Sequence, residues 1–352
     1  MSYTNGLDNP ELYFQAKNYS GNASTNAITL DGSENMQPDM VWLKSRSFSQ
    51  NHEMYDSVRT ATKRLYPNGS YAEDTNSTGL TAFNSDGFTL GSSNAINKSG
   101  DTFVSWNWKA GTSVSGTTTG SGTSKAYSGS VSTDGGFSII KYIGNGTSGH
   151  TIPHHLGVQP QVVICKRLSS SGQWVFGSMA LPNQFEQFLE LDLTGAAQTS
   201  SLRWNDTDPS SSVFTVGSTA DTNQDGTNII AYSFAEKKGF SKFSSYVGNG
   251  SSDGSYIHLG FKPAFVLQKC TSTSTDWTLA DNKRPGYNET NKRLVPNESA
   301  SEATNNAIDF LSNGFKCRQD QANANGSGET YIYMCFAENP FVTSTGIPTT
   351  AR

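Results

Sequence analysis

Three stretches of this 352-residue chain begin alike: "YSGNAS" from Tyr19, "YIGNGTSG" from Tyr142 and "YVGNGSSDG" from Tyr246. Each is followed by an apolar run headed by proline: "QPDMVWLKSRS", "QPQVVICKRLS" and "KPAFVLQKCTS". Pro38, Pro160 and Pro263 are separated by 122 and 103 residues, and the three tyrosines by 123 and 104, so the registers agree to one residue. Such self-similarity restricts the chain to a fold in which one supersecondary unit is used three times.

Later landmarks keep step. Trp174 and Trp277 each lie 14 residues after their proline, and the same offset from Pro38 lands on His52. "KRLYPN" from Lys63 recurs as "KRLVPN" from Lys292, and each copy closes on an aromatic run, "TFVSWNWKAG", "NIIAYSFAEKKG" or "TYIYMCFAENPF". The chain therefore divides into repeats at 1–112, 131–238 and 239–343, with a Gly/Ser/Thr-rich linker at 113–130 and a tail at 344–352. The composition of 113–130 predicts a flexible or loosely extended connection. The second join, "AEKKGFSKF", is nearly absent, so the last two repeats are expected to dock more rigidly than the first two.

Within a repeat the apolar period is two. "FSIIKYIGNG", "VVICKR", "WVFGS" and "IIAYSFAE" are short runs of Val, Ile, Phe and Tyr bounded by Gly, Asn and Pro, which is how strands present themselves. Only 16% of residues are charged, and the Ser, Thr, Asn and Gly that must cover the surface are turn formers. The predicted fold class is all-β: three tandem antiparallel β-sandwiches, jelly-roll or lectin-like.

The net charge of −5 contains no Lys/Arg block able to track phosphates, so nucleic acid is not an expected partner. No apolar run approaches the length of a membrane span and no signal peptide opens the chain, which leads us to expect a soluble product made in a cytoplasm. Cys165, Cys270, Cys317 and Cys335 lie in or beside apolar runs without CxxC spacing and are expected to be reduced, buried thiols.

"HTIPHHLGVQP" places His150, His154 and His155 within six positions, a density that raises metal binding. Yet His155 aligns with His258 in "YIHLGFKP", together with the following Leu, Gly and Pro, while His150 and His154 have no counterparts there. A histidine that recurs with the repeat serves its architecture, and we expect its imidazole to satisfy a carbonyl in the turn. No metal and no cofactor are expected. Asp86, Asp134, Asp225 and Asp253 each precede a glycine and are read as turn residues.

Taken together, Tyr-x-Gly-Asn, His-x-Leu-Gly-x-x-Pro with its apolar run ending in Lys-Arg, the following Trp, "FNSDGFTLG", the closing "VSWNWKAG" or "AYSFAE" and the opening "LDNPELYF" resemble the tandem-repeat virion proteins of marine tailed bacteriophages, including cyanophages. The resemblance covers nearly all of the chain except the linker and the last nine residues. It implies a fibre-like virion structural protein located on the particle, and it brings no catalytic motif. Unit one departs from the pattern by lacking the histidine, and the middle of unit two is diverged.

Glycan recognition on such sandwiches rests on exposed aromatic rings beside hydrogen-bonding side chains. Candidates in polar contexts are Trp204 with Asn205 and Asp206 ("RWNDTDP"), Tyr71 ("SYAEDTN") and Tyr287 with Asn288 ("GYNET"). Trp106, Trp108, Trp174 and Trp277 lie in strand-like runs and are assigned to the core. Glu186, Glu190 and Asp192 form the only local carboxylate cluster that could serve a depolymerase. The expected function is a non-enzymatic tail fibre or spike component that attaches to host glycans. It would be a homo-oligomer, a trimer being one form, in contact with other virion proteins. The alternatives are a capsid decoration or cement protein, a tail adaptor, or a polysaccharide depolymerase.

Overall fold

A computed structural model of the chain describes residues 6–285 and 287–350. It is built from short antiparallel strands, and no α-helix among the described residues exceeds four residues. No helix is long and apolar enough to cross a membrane.

One strand order recurs three times. In the first unit Phe14–Ser20, Thr102–Trp108, Met40–Ser45 and Glu53–Asp56 lie side by side in that order. The same arrangement is made by Phe137–Ile143, Asn228–Phe234, Val162–Arg167 and Val175–Ser178, and by Ser241–Val247, Thr330–Pro340, Phe261–Cys270 and Thr278–Asp281. A smaller sheet covers one face of each: Ile28, Leu80 and Phe88 in the first unit, Ile152 and Phe214 in the second, Ile257, Phe310 and Phe315 in the third. These are antiparallel sandwiches.

The Tyr-x-Gly-Asn stretches fasten each sandwich at one end. The tyrosine hydroxyl donates to a backbone carbonyl, Tyr19 to Ile96 at 2.8 Å and Tyr142 to Thr222 at 2.5 Å, with Tyr246 bonded likewise to Ala324. The asparagine backbone N–H then donates to the carboxamide of Asn97, Asn223 or Asn325 at 2.9–3.1 Å. The glycine is obligatory, because a Cβ on Gly21, Gly144 or Gly248 would lie 2.2–2.4 Å from a carbonyl oxygen of that same loop.

The other face of every large sheet points into a single shared core. Phe14, Trp42, Trp106 and Trp108 meet Ile139, Ile164, Trp174 and Phe234 there, together with Phe265, Trp277, Met334 and Phe336. Trp108, Phe234 and Phe336 hold equivalent strand positions, and their rings meet pairwise at 6.5, 5.6 and 5.8 Å. The strands next to Pro38, Pro160 and Pro263 are accordingly buried along nearly their whole length.

Each seam between units repeats one set of bonds. Gly172 N–H donates to the Ser70 carbonyl at 2.8 Å, Thr275 to Thr194 at 3.0 Å, and Gln50 to Ser299 at 2.8 Å. A buried lysine six residues after each proline reaches the same carbonyl at 3.1 Å: Lys166 to Ser70, Lys269 to Thr194, Lys44 to Ser299. Glu73 N–H donates to Leu168, Ala197 to Thr271 and Glu302 to Arg46. Trp174 and Trp277 donate their indole N–H to Tyr66 and Glu190 carbonyls at 2.8 and 3.0 Å. At the third seam His52 stands in for the indole: its Nδ1 accepts from Trp42, so Nε2 carries the proton and donates to Val295 at 3.0 Å. The second unit binds the first, the third binds the second, and the first binds the third, so the ring is closed.

Two expectations need correction. Residues 113–130 are not a linker: Thr112–Thr117 and Ala126–Ser132 form a ribbon that adds two strands to the second unit's large sheet. The first two units are therefore not loosely joined, and the first seam carries the same bonds as the others. Ser and Gly hide this ribbon because alternating small polar residues give a half-exposed strand no hydrophobic period.

Burial opposes charge on Lys44, Lys166 and Lys269 and pulls each ammonium down from 10.5 to about 8. Below about pH 8 both folded and unfolded chains hold these protons, and the penalty is fully present. Between about 8 and 10.5 the unfolded chain binds more protons, so stability rises with pH by up to about 1.4 kcal/mol per pH unit for each lysine. Replacing Lys166 by Met removes that slope at one position. The stability difference between Lys166→Met and wild type in urea melts should therefore shift towards wild type from pH 8 to 10, and a constant difference contradicts the assignment.

Candidate functional site

The aromatic candidates do not share a site. Trp204 closes the short helix Ser201–Trp204 and is fully buried between Phe185 and Phe214, at 5.3 and 6.4 Å. Gly177 makes room for it, since a Cβ there would lie 2.8 Å from the indole. The expectation of an exposed Trp204 is overturned. Its polar neighbours misled because Asn205 and Asp206 adopt left-handed backbone angles, φ 57° and 48°, to reverse the chain after the helix. Asn205 N–H caps Ser201 at 2.7 Å, so this pair is turn chemistry rather than a ligand grip. Tyr287 is 82% exposed, but Asn288 is committed to the loop, accepting from Phe310 N–H at 2.9 Å and donating to its carbonyl at 3.0 Å. Tyr71 is exposed and rests edge-on against Tyr66 at 5.4 Å.

The three clustered histidines face three ways. His150 Nδ1 meets the Asn145 carboxamide at 2.8 Å. His154 accepts from Leu156 N–H and donates through Nε2 to the Ser210 carbonyl, and burial holds it down to about 4. His155 bonds the Tyr127 hydroxyl at 2.8 Å through Nε2. The turn is thus served by His154, and the recurring His155 meets a tyrosine instead of the expected carbonyl. Among the described residues no three His, Cys, Asp or Glu side chains form a metal-holding group. The four cysteines are buried, and burial pushes the Cys165 thiol up to about 12.

Of the carboxylate cluster, Glu186 is exposed, while Asp192 and Glu190 are engaged. Asp192 accepts from Trp174 N–H at 3.0 Å, as Asn68 does from His52 and Asn297 from Trp277. That position holds a neutral amide in two units, and burial raises the Asp192 carboxyl towards its own neutral form. Glu190 is also raised by burial and pairs with Arg203, which in turn grips Asp221.

A cleft of about 330 Å³ opens at the seam between the first and second units, lined by Arg59, Lys63, Glu73, Lys141, Leu168, Ser169 and Asn228. Arg59 is anchored on Asp56 at 2.5 Å and reaches Glu73 at 3.1 Å. Lys63 bonds Thr75 at 2.8 Å and lies 4.0 Å from Glu73. Lys141 faces them from the second unit, so the lining carries three cations against one carboxylate. The loop that supplies Glu73 also carries the exposed Tyr71, two residues earlier. The equivalent place at the third seam also has cations, Arg284 and Lys292 matching Arg59 and Lys63, but it is filled by Arg46, whose guanidinium clamps Glu302 at 2.9 and 3.2 Å. At the second seam the matching residues are Thr271 and Ala197, without charge. Sequence reasoning found Tyr71 but not the lysines, because Lys63 and Lys141 lie 78 residues apart and meet only through the closed ring.

Truncating Trp204 to Ala should cost about 3–5 kcal/mol in denaturant unfolding, whereas Tyr71→Ala should change stability by less than about 0.5 kcal/mol.

No curated protein matches the chain. Residues 9–340 match the family described as "Domain of unknown function (DUF7483)", and the chain belongs to that family.

Proposed function

We propose that this chain is a non-enzymatic structural protein of a tailed-phage virion, exposed as a fibre- or spike-type component that attaches to host-surface glycans. The cleft at the first seam is the attachment site, and its ligand is an acidic saccharide. The observation that carries the reading is an open cleft lined by three cations and one carboxylate, next in sequence to an exposed tyrosine on the Glu73 loop. Lys63 and Lys141 offer charge-assisted hydrogen bonds to a carboxylate or sulfate. Asn228 and Ser169 match ring hydroxyls, and Tyr71 presents a face for a pyranose. One such cleft binds weakly, and many copies on a particle raise avidity wherever they can engage together.

Calorimetric titration with polyuronate, a sulfated galactan and a neutral glucan tests the proposal. Binding to the anionic polymers, weakened at least tenfold by Lys141→Ala and by Tyr71→Ala, is expected. Equal binding of the neutral glucan overturns it. An assay for new reducing ends on the same polymers should give none, and their appearance would favour the depolymerase alternative. A capsid decoration, cement or adaptor role without receptor contact is the remaining alternative. Antibody labelling of intact particles distinguishes it, since the attachment reading places the protein on the tail.

A further inference from the structure

In the second unit the ribbon strand Ala126–Ser132 pairs along the outer edge of Phe137–Ile143. Ser128 lies opposite Lys141, Ser130 opposite Ile139 and Tyr127 opposite Tyr142. Gly129 is required there, because a Cβ would fall 2.3 Å from the Ile139 carbonyl oxygen. Tyr127 then reaches over the edge to bond His155 Nε2.

The equivalent edge in the first unit, Phe14–Ser20, is crossed by its own chain. Gln15 accepts from Gly32 N–H and donates to the Glu34 carbonyl, while Lys17 pairs with Asp31. In the third unit the same edge belongs to Ser241–Val247, the terminal strand of its sheet. Phe243 N–H turns outward to Glu236 and the Val247 carbonyl outward to Ser255, which fixes the parity. Ser245, between them, therefore points its N–H and C=O away from the sheet, and neither has a partner among the described residues. Ser245, Val247, Tyr256 and His258 are all exposed there. His258 aligns with His155 and is held beside the edge by Lys242, which donates to its carbonyl at 2.9 Å. Its Nδ1 meets Tyr256, and Nε2, the atom that Tyr127 takes in the second unit, has no hydrogen-bond partner among the described residues.

We propose that the edge Ser241–Val247 is a docking site for an extended strand supplied by a different protein, of the chemistry that the ribbon shows: small Ser and Gly residues with one tyrosine to meet His258. Backbone hydrogen bonds would supply affinity, and the tyrosine would set the register. The chain itself takes the outward N–H groups of Ser241 and Phe243 and the Val247 carbonyl, and the stretch left open around Ser245 is an aggregation hazard unless a partner covers it. This proposal is independent of the glycan reading, because the edge lies in a different unit from the cleft.

The test uses the full chain and a synthetic peptide with the sequence of residues 124–133, SKAYSGSVST, followed by backbone NMR. The expected result is saturable binding with shifts confined to residues 241–247 and 256–258. N-methylation of the peptide serine equivalent to Ser128 should weaken binding at least tenfold, while N-methylation of the glycine equivalent to Gly129, which faces the other way, should not. Ser245→Pro, checked for folding by its melting transition, should abolish binding, and His258→Ala should weaken it. Absence of binding, shifts at 137–143 instead, or indifference to the serine methylation overturns the proposal. So does a peptide-free dimer that Ser245→Pro dissolves, because a second copy would then be the occupant.

Discussion

Each large sheet has two apolar faces, and its own small sheet covers only one of them. The second face, bearing Trp106 and Trp108 or Tyr232 and Phe234 or Met334 and Phe336, finds cover only against the same face of the other two units. A sandwich with one face left bare would expose several indole and phenyl rings, each of which costs about 1.5–3 kcal/mol to leave in water. Mutual burial of three such faces is therefore the condition under which any one unit is stable. The lysines at the seams follow from it. Their ammonium groups are enclosed by the closing ring, and burial is tolerable only because they donate to neighbouring carbonyls, Lys166 to those of Ser70, Arg167 and Gly172.

Equivalent positions at the seams also differ in a coordinated way. Asp56 accepts from the Tyr232 hydroxyl at 2.6 Å and is held by Arg59. Asp281 accepts from Trp106 at 3.0 Å and is held by Arg284. At the remaining seam the ring donor is replaced by Met334, and the Asp–Arg pair is replaced by Ser178 and Leu181. A buried carboxylate without a donor would be an unpaired charge in an apolar core, so donor and acceptor disappear together. His52 in place of tryptophan follows the same logic, keeping one N–H aimed at the neighbouring carbonyl.

The strands and their equivalences were legible in the sequence because Pro-headed apolar runs and Tyr-x-Gly-Asn stretches carry them at constant offsets. The assignment of Trp106, Trp108, Trp174 and Trp277 to a core also agrees with their burial. What could not be read is that this core is common to all units, since period-two alternation looks the same whether the second face meets water or another sheet. The ribbon 112–132 was hidden by its small polar residues, and Trp204 by a helix too short to show a period. The cationic cleft escaped for a different reason: its lysines are distant in sequence and are gathered only by closure of the ring. Lys44, Lys166 and Lys269 stood at one offset in all three copies, and that recurrence at the end of an apolar run was the available signal.

The central claim is that three sandwiches share one core and stand or fall together. Differential scanning calorimetry of the intact chain tests it most directly. The account predicts one transition whose van't Hoff and calorimetric enthalpies agree, a ratio of about one. Separate transitions, or a ratio of about one third as expected for three independently melting units, would contradict it.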